Sequence, residues 1–128
     1  MILDSSAVVA VVLGEVGYKA LRQRIVRAAS VGIGAPTLLE SELVLTGRMG
    51  EAARGQLLTL VTDGSIAVLP FDEEHWREAG SAFLRFGKGR HPAALNYGDC
   101  MTYATARLAH EPLLCLGNDF AQTDLELA

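Results

Sequence analysis

The chain has 128 residues, half of them hydrophobic and 20% charged, with a formal net charge of −4. That is enough for one domain, residues 1–128, with a real core, and it is too apolar for disorder. A pI near 5.3 argues against capture of nucleic acid by overall charge, so a polyanion partner must be met by a local basic patch or a metal ion.

The opening MILDSSAVVAVVLGE places a strand at Met1 to Asp4 and a buried helix at Ser5 to Leu13. Its apolar run from Ala7 to Leu13 lacks a basic flank and is far short of a membrane span, so the protein is expected in the cytoplasm with no membrane partner. A second helix is predicted over Glu15 to Ala29, carrying Lys19, Arg22, Arg24 and Arg27 spread around its surface as a mainly solvated face. Val31 to Ala35 reads as the next strand, followed by helices at Leu38 to Arg48 and Glu51 to Val61, separated at Gly50. A third strand at Ile66 to Leu69 leads into a helix from Asp72 to Phe86, in which Trp76 and Phe83, seven apart, are expected in the core. After the loop GKGRHPAALN, a helix is predicted from Asp99 to His110, then a strand at Leu113 to Leu116 and a last one at Leu125 to Ala128. Short strands alternating with longer helices predict an α/β domain, a mainly parallel sheet of four to five strands with helices on both faces.

In such a sheet, ligands collect beyond the carboxyl ends of the strands. Asp4 ends the first strand, Glu40 follows the second, Asp99 opens the last long helix and Asp119 follows LLCLG. Four carboxylates from separate segments are thus expected on one rim. Each also has a purely structural explanation. Asp4 is a good helix cap, Thr37 and Glu40 fit a capping box, Asp99 suits a helix dipole, and Asp119 suits a turn. Gathered together, however, the acids would repel unless a cation joined them, and Mg²⁺ or Mn²⁺ prefers oxygen ligands of this kind. His75, His91 and His110 lack zinc spacing, Cys100 and Cys115 have no CxxC or Cys/His pattern, and no phosphate loop or serine elbow is present.

The stretches MILDSSAVVAVVLGE, APTLLESELVL, FGKGRHPAALNYGDC and LCLGNDFAQTDLELA resemble the PIN-domain ribonuclease toxins of bacterial type II toxin–antitoxin systems, the VapC group, from Met1 to Ala128. The resemblance implies a three-layer α/β/α fold and Mg²⁺- or Mn²⁺-dependent endonucleolytic cleavage of RNA. It assigns the catalytic acids to Asp4, Glu40, Asp99 and Asp119, with Asp4 and Asp99 as primary metal ligands and Glu40 and Asp119 as secondary ones. Position 118 is Asn where an acid is often found, which leaves Asp119, with Asp124 behind it, as candidates for the fourth position. Glu42 competes with Glu40, although a helix turns about 200° over two positions, and Glu40 is preferred. The resemblance further implies a homodimer and a cognate antitoxin that blocks the site.

From Ala79 to Gly98 the chain has no acid, while Lys88, Arg90 and His91 crowd the loop before Asp99. That loop is the expected contact for RNA phosphates. Tyr97 is read as packing the helix start, with base stacking as its alternative. The apolar LLESELVL segment with Met49 suggests a surface covered by a partner. Two competing readings are a phosphorylation-switched receiver domain, disfavoured because no lysine follows Lys88, and a catalytically silent PIN-like binding module.

Overall fold

The structure, a computed structural model, describes residues 1–128. The elements in chain order are β1 (Ile2–Leu3), α1 (Ser5–Leu13), α2 (Tyr18–Arg27), β2 (Gly32–Gly34), α3 (Ala35–Met49), α4 (Ala52–Asp63), β3 (Ala67–Leu69), α5 (Glu73–Phe86), α6 (Tyr97–Ala109) and β4 (Leu113–Leu114), then a 3₁₀ turn at Phe120–Gln122. The strands pair in parallel in the order β3-β2-β1-β4. Ile2 lies opposite Gly32 and Leu113, and Ile33 opposite Val68. Side chains alternate across the pleat. Leu3, Ile33 and Leu114 therefore join a core with residues of α1 to α4, while Ile2 and Leu113 join a second core with α5 and α6. Helices thus cover both faces, in the expected three layers. Strand order reverses direction beside β1, between β2 and β4, and a crevice forms at such a switch point.

The expected fifth strand at Leu125 to Ala128 is reduced to one bridge, Leu127 with Leu113. Its partner β4 is only two residues long, so no longer ladder is available. Helix starts also differ from expectation, and two of the differences matter for function. Helix α3 begins at Ala35 with Pro36 in its first turn and Gly34 as the cap, where proline's fixed φ and missing N–H cost nothing. Thr37 therefore lies inside the helix, 2% exposed, and the Thr37/Glu40 capping box does not form. Helix α6 begins at Tyr97, capped by Asn96, which moves Asp99 from the helix boundary into the first turn.

Trp76 and Phe83 are not in the core: they are 62% and 40% exposed. The buried stripe of α5 runs instead through Ala79, Ala82 and Phe86 against the α6 residues Cys100, Tyr103 and Ala106. Trp76 and Phe83 line, with Phe71, Leu84, Tyr97 and Met101, an open apolar groove of about 470 Å³. Tyr97, 82% exposed, does not pack the helix start. On α2, Lys19, Arg22, Arg24 and Arg27 are exposed. No helix is long and apolar enough to cross a membrane.

Candidate active site

Each of the four acids is delivered by a different element. Asp4 follows β1 and caps α1, Glu40 lies in the second turn of α3, Asp99 in the first turn of α6, and Asp119 heads the 3₁₀ turn after β4. All four line one cavity of about 290 Å³, together with Ser5, Ser6 and Asn96. No histidine, lysine or arginine lines it.

Asp4 is the most rigidly held. It is 5% exposed. Oδ2 accepts from the Ser6 amide at 3.0 Å and from the Ser6 hydroxyl, which itself accepts from the Leu116 amide at 3.0 Å. Oδ1 accepts from Thr102 Oγ1 at 3.0 Å. Because that hydroxyl's proton is committed to Asp4, the Thr37 hydroxyl, 3.1 Å away, must donate to Thr102. Thr37, Thr102 and Ser41 are buried, and Ser41 donates back to the Thr37 carbonyl at 2.8 Å. This polar chain crosses from α3 through α6 to the end of β1 and fixes the rotamer of Asp4.

Asp99 and Asn96 satisfy each other. Asp99 Oδ2 accepts from the Asn96 amide at 3.0 Å, and Asn96 Oδ1 accepts from the Asp99 amide at 2.9 Å, a reciprocal capping box. The helix-dipole explanation of Asp99 is therefore real, but it is incomplete. Burial pushes the Asp99 carboxyl above its ordinary range, the Asn96 amide opposes this, and the charges of Asp4, Asp119 and Glu40 add to the rise. The four acids are close enough to repel through a partly desolvated space.

Glu40 is seated by a glycine. A Cβ built on Gly98 would overlap Glu40 Oε2, so the α3 carboxylate approaches the first turn of α6 only because residue 98 has no side chain. Glu42 is outside the cavity and pairs with Arg54 of α4 at 3.2 Å. Asp124 is also outside it: its carboxylate accepts from Tyr103 Oη at 2.7 Å and from Arg85 at 2.9 Å, with Arg107 at 3.6 Å. Of the alternatives left open along the sequence, Glu40 and Asp119 line the cavity, whereas Glu42 and Asp124 do not.

Lys88, Arg90 and His91 do not line the cavity. Lys88 and Arg90 are exposed, with the Arg90 guanidinium over the Phe83 ring at 5.7 Å. The expectation for His91 changes, because its ring stands edge-on to Phe86 at 5.1 Å and its Nδ1 accepts from the Ala93 amide at 3.1 Å. His91 braces the loop, and Lys88 and Arg90 are its free cations.

Sequence reasoning missed Ser6, Thr102, Asn96 and Gly98, and gave Thr37 the role of a helix cap in place of its buried bond to Thr102. Ser6 and Asn96 carried a local signal, lying two residues after Asp4 and three before Asp99. Thr102 reaches Asp4 across 98 positions and carried none.

Neither cysteine is activated as a nucleophile by its surroundings. Burial pushes Cys115 up to about 11, with Asp4, Asp119 and Asp99 adding to it, and burial with Asp99 raises Cys100. Both stay protonated thiols at neutral pH. No three His, Cys, Asp or Glu side chains are grouped closely enough to hold a metal ion by themselves. An all-oxygen cavity of mutually repelling acids suits a small hard cation that keeps several waters and takes only one or two carboxylates directly.

The PIN domain signature matches residues 1–126. The chain is 52% identical over 127 residues to Ribonuclease VapC36 of Mycobacterium tuberculosis, an overlap of 98% of this chain and 91% of that protein. Its fold is similar to the crystal structure of Mycobacterium tuberculosis VapC20, described as a sarcin-ricin loop cleaving toxin, with TM-score 0.82 at 15% identity over 99% of this chain and 97% of that one. It is also similar to a chain of VapBC2 from Rickettsia felis, solved bound to a DNA fragment from their promoter, with TM-score 0.76 at 13% identity over 99% and 96%. By sequence, this chain belongs to the PIN-domain family and, within it, to the VapC ribonucleases.

Proposed function

We propose that this chain is an Mg²⁺- or Mn²⁺-dependent endoribonuclease, the toxin of a type II toxin–antitoxin pair. The observation that carries the reading is the meeting of Asp4, Glu40, Asp99 and Asp119, from four separate segments, in one cavity without a cationic side chain. Asp4 and Asp99, one clamped by hydroxyls and the other by Asn96, would hold the ion directly. Glu40 and Asp119 would hold its waters or a second ion. When bound, the divalent ion supplies Lewis acidity toward water and neutralises phosphate charge.

The chain's own residues do the rest. Ser6 and Thr102 hold Asp4 in one rotamer, so the ligand geometry is set before substrate arrives. With no histidine or lysine in the cavity, a carboxylate must take the proton of the attacking water. Glu40 and Asp119 fit that task because neither is engaged in a hydrogen bond with the rest of the chain. Attack in line on phosphorus breaks the bond to the ribose 3′ oxygen and leaves a 5′-phosphate and a 3′-hydroxyl. The 2′-hydroxyl takes no part. Lys88 and Arg90 attract the flanking phosphates.

Two partners complete the proposal. Leu39 and Leu43 on α3 and Trp76 and Leu84 on α5 are more than half exposed, which supports burial of these faces by a second copy and by a cognate antitoxin. The test of the chemistry is product analysis. Cleavage should leave 5′-phosphate ends and proceed when the nucleotide before the scissile bond is 2′-deoxy. A 2′,3′-cyclic phosphate product would overturn the mechanism.

A further inference from the structure

Asp119 is exposed and its side chain is not held by any neighbour, so its place depends on the backbone of the C-terminal segment. That segment is pinned at successive points. Phe120 is 3% exposed in the α5–α6 core, and Thr123 Oγ1 donates to its carbonyl at 2.7 Å. Next comes Asp124, which accepts from Tyr103 Oη at 2.7 Å and from Arg85 at 2.9 Å, while Arg85 also donates to Tyr103 Oη at 3.3 Å. Tyr103 is fully buried and sits one helical turn beyond Asp99 on α6. Resting on the metal-centre reading above, we propose that Tyr103, Asp124 and Arg85 form a clamp that positions Asp119 against Asp99 for metal binding. The clamp joins the helix that carries one acid to the strap that carries the other. Its charge states suit the task. Burial and the Asp124 bond push the Tyr103 hydroxyl up to about 12, keeping it a donor. Burial raises the Asp124 carboxyl, but the bonds from Tyr103 and Arg85 outweigh this and hold it low, keeping it an acceptor.

The test is Mn²⁺ binding by calorimetry, alongside melting temperature, for the wild type, Tyr103→Phe, Asp124→Asn and the double variant. Tyr103→Phe changes no charge. Glu126→Gln removes a charge from the same segment without touching the clamp, and Leu57→Ala destabilises the opposite core. Each clamp variant is expected to weaken Mn²⁺ binding about tenfold, the low end for groups that orient ligands. The double variant should be no weaker than the worse single one. Leu57→Ala should melt lower with unchanged affinity, and Glu126→Gln should bind as wild type. Unchanged affinity in Tyr103→Phe, or an equal loss in Leu57→Ala, would overturn the clamp. Failure of the wild type itself to bind Mn²⁺ would overturn the metal centre, and the clamp's purpose with it.

Discussion

Glu40 rests against the α-carbon of Gly98, so one methyl group at residue 98 would occupy the space of Glu40 Oε2. Gly98→Ala therefore separates two effects. In a helix, alanine is favoured over glycine by about 1 kcal/mol, which offsets the local crowding, and melting temperature should change little. Activity should fall about a hundredfold, the scale of a one-ångström misplacement at a reacting centre. Full activity in a folded Gly98→Ala protein would place Glu40 outside the chemistry.

Asp99 makes the metal-free protein sensitive to pH. Its carboxyl is raised above the ordinary 3.8 by burial first and by Asp4, Asp119 and Glu40 after the opposing Asn96 amide. Above 3.8 the native state therefore holds a proton that the unfolded chain has already lost, so stability falls as pH rises toward the raised value and stays lost beyond it. In chelator, Asp99→Asn should melt higher than wild type at pH 7, with the difference shrinking toward pH 4. Divalent ion should reverse the order by stabilising the wild type. Melting curves across this range check it, and a difference independent of pH would contradict the crowding of the four acids.

Thr102 is the donor to Asp4 and the acceptor from Thr37. Thr102→Val keeps the shape and removes both bonds, leaving the Thr37 hydroxyl buried without its partner. The expected cost is about 1–3 kcal/mol of stability, read by denaturant unfolding, together with weaker Mn²⁺ binding as Asp4 gains rotamer freedom. Wild-type Mn²⁺ affinity in this variant would show that Ser6 alone orients Asp4.

Lys88 and Arg90 test RNA attraction apart from catalysis. Replacing both by Ala should weaken binding to an uncleavable RNA and lower the slope of log affinity against log salt by about 1.4, two single-strand phosphate contacts. Binding measured from low to high salt reads this directly. An unchanged slope would remove the loop from the substrate path.

The sequence was most legible where local chemistry and position agreed. Asp4 after a strand, Asp99 in NYGDC and Asp119 after LLCLG could be placed on one rim because a parallel sheet gathers strand ends there. Choices that depend on a side chain's distant partner could not be made. Asp119 and Asp124 are five positions apart, and only the buried Tyr103 and the Arg85 cation show which one is claimed elsewhere. Thr37 fits a cap by pattern, yet Pro36 starts the helix earlier and sends its hydroxyl inward to Thr102. Trp76 and Phe83 have core-like spacing, but the narrow Ala79 and Ala82 face is what lets α5 lie close on α6.

The central claim is that these four acids form a metal-dependent ribonuclease centre. Its most direct test is cleavage of structured RNA by purified protein in chelator, with Mg²⁺ or Mn²⁺ restored, and with Asp99→Asn in parallel. The account predicts no cutting in chelator, recovery with either ion, and loss of at least a hundredfold in Asp99→Asn. Cutting that persists in chelator, or that survives the substitution at full rate, would contradict it.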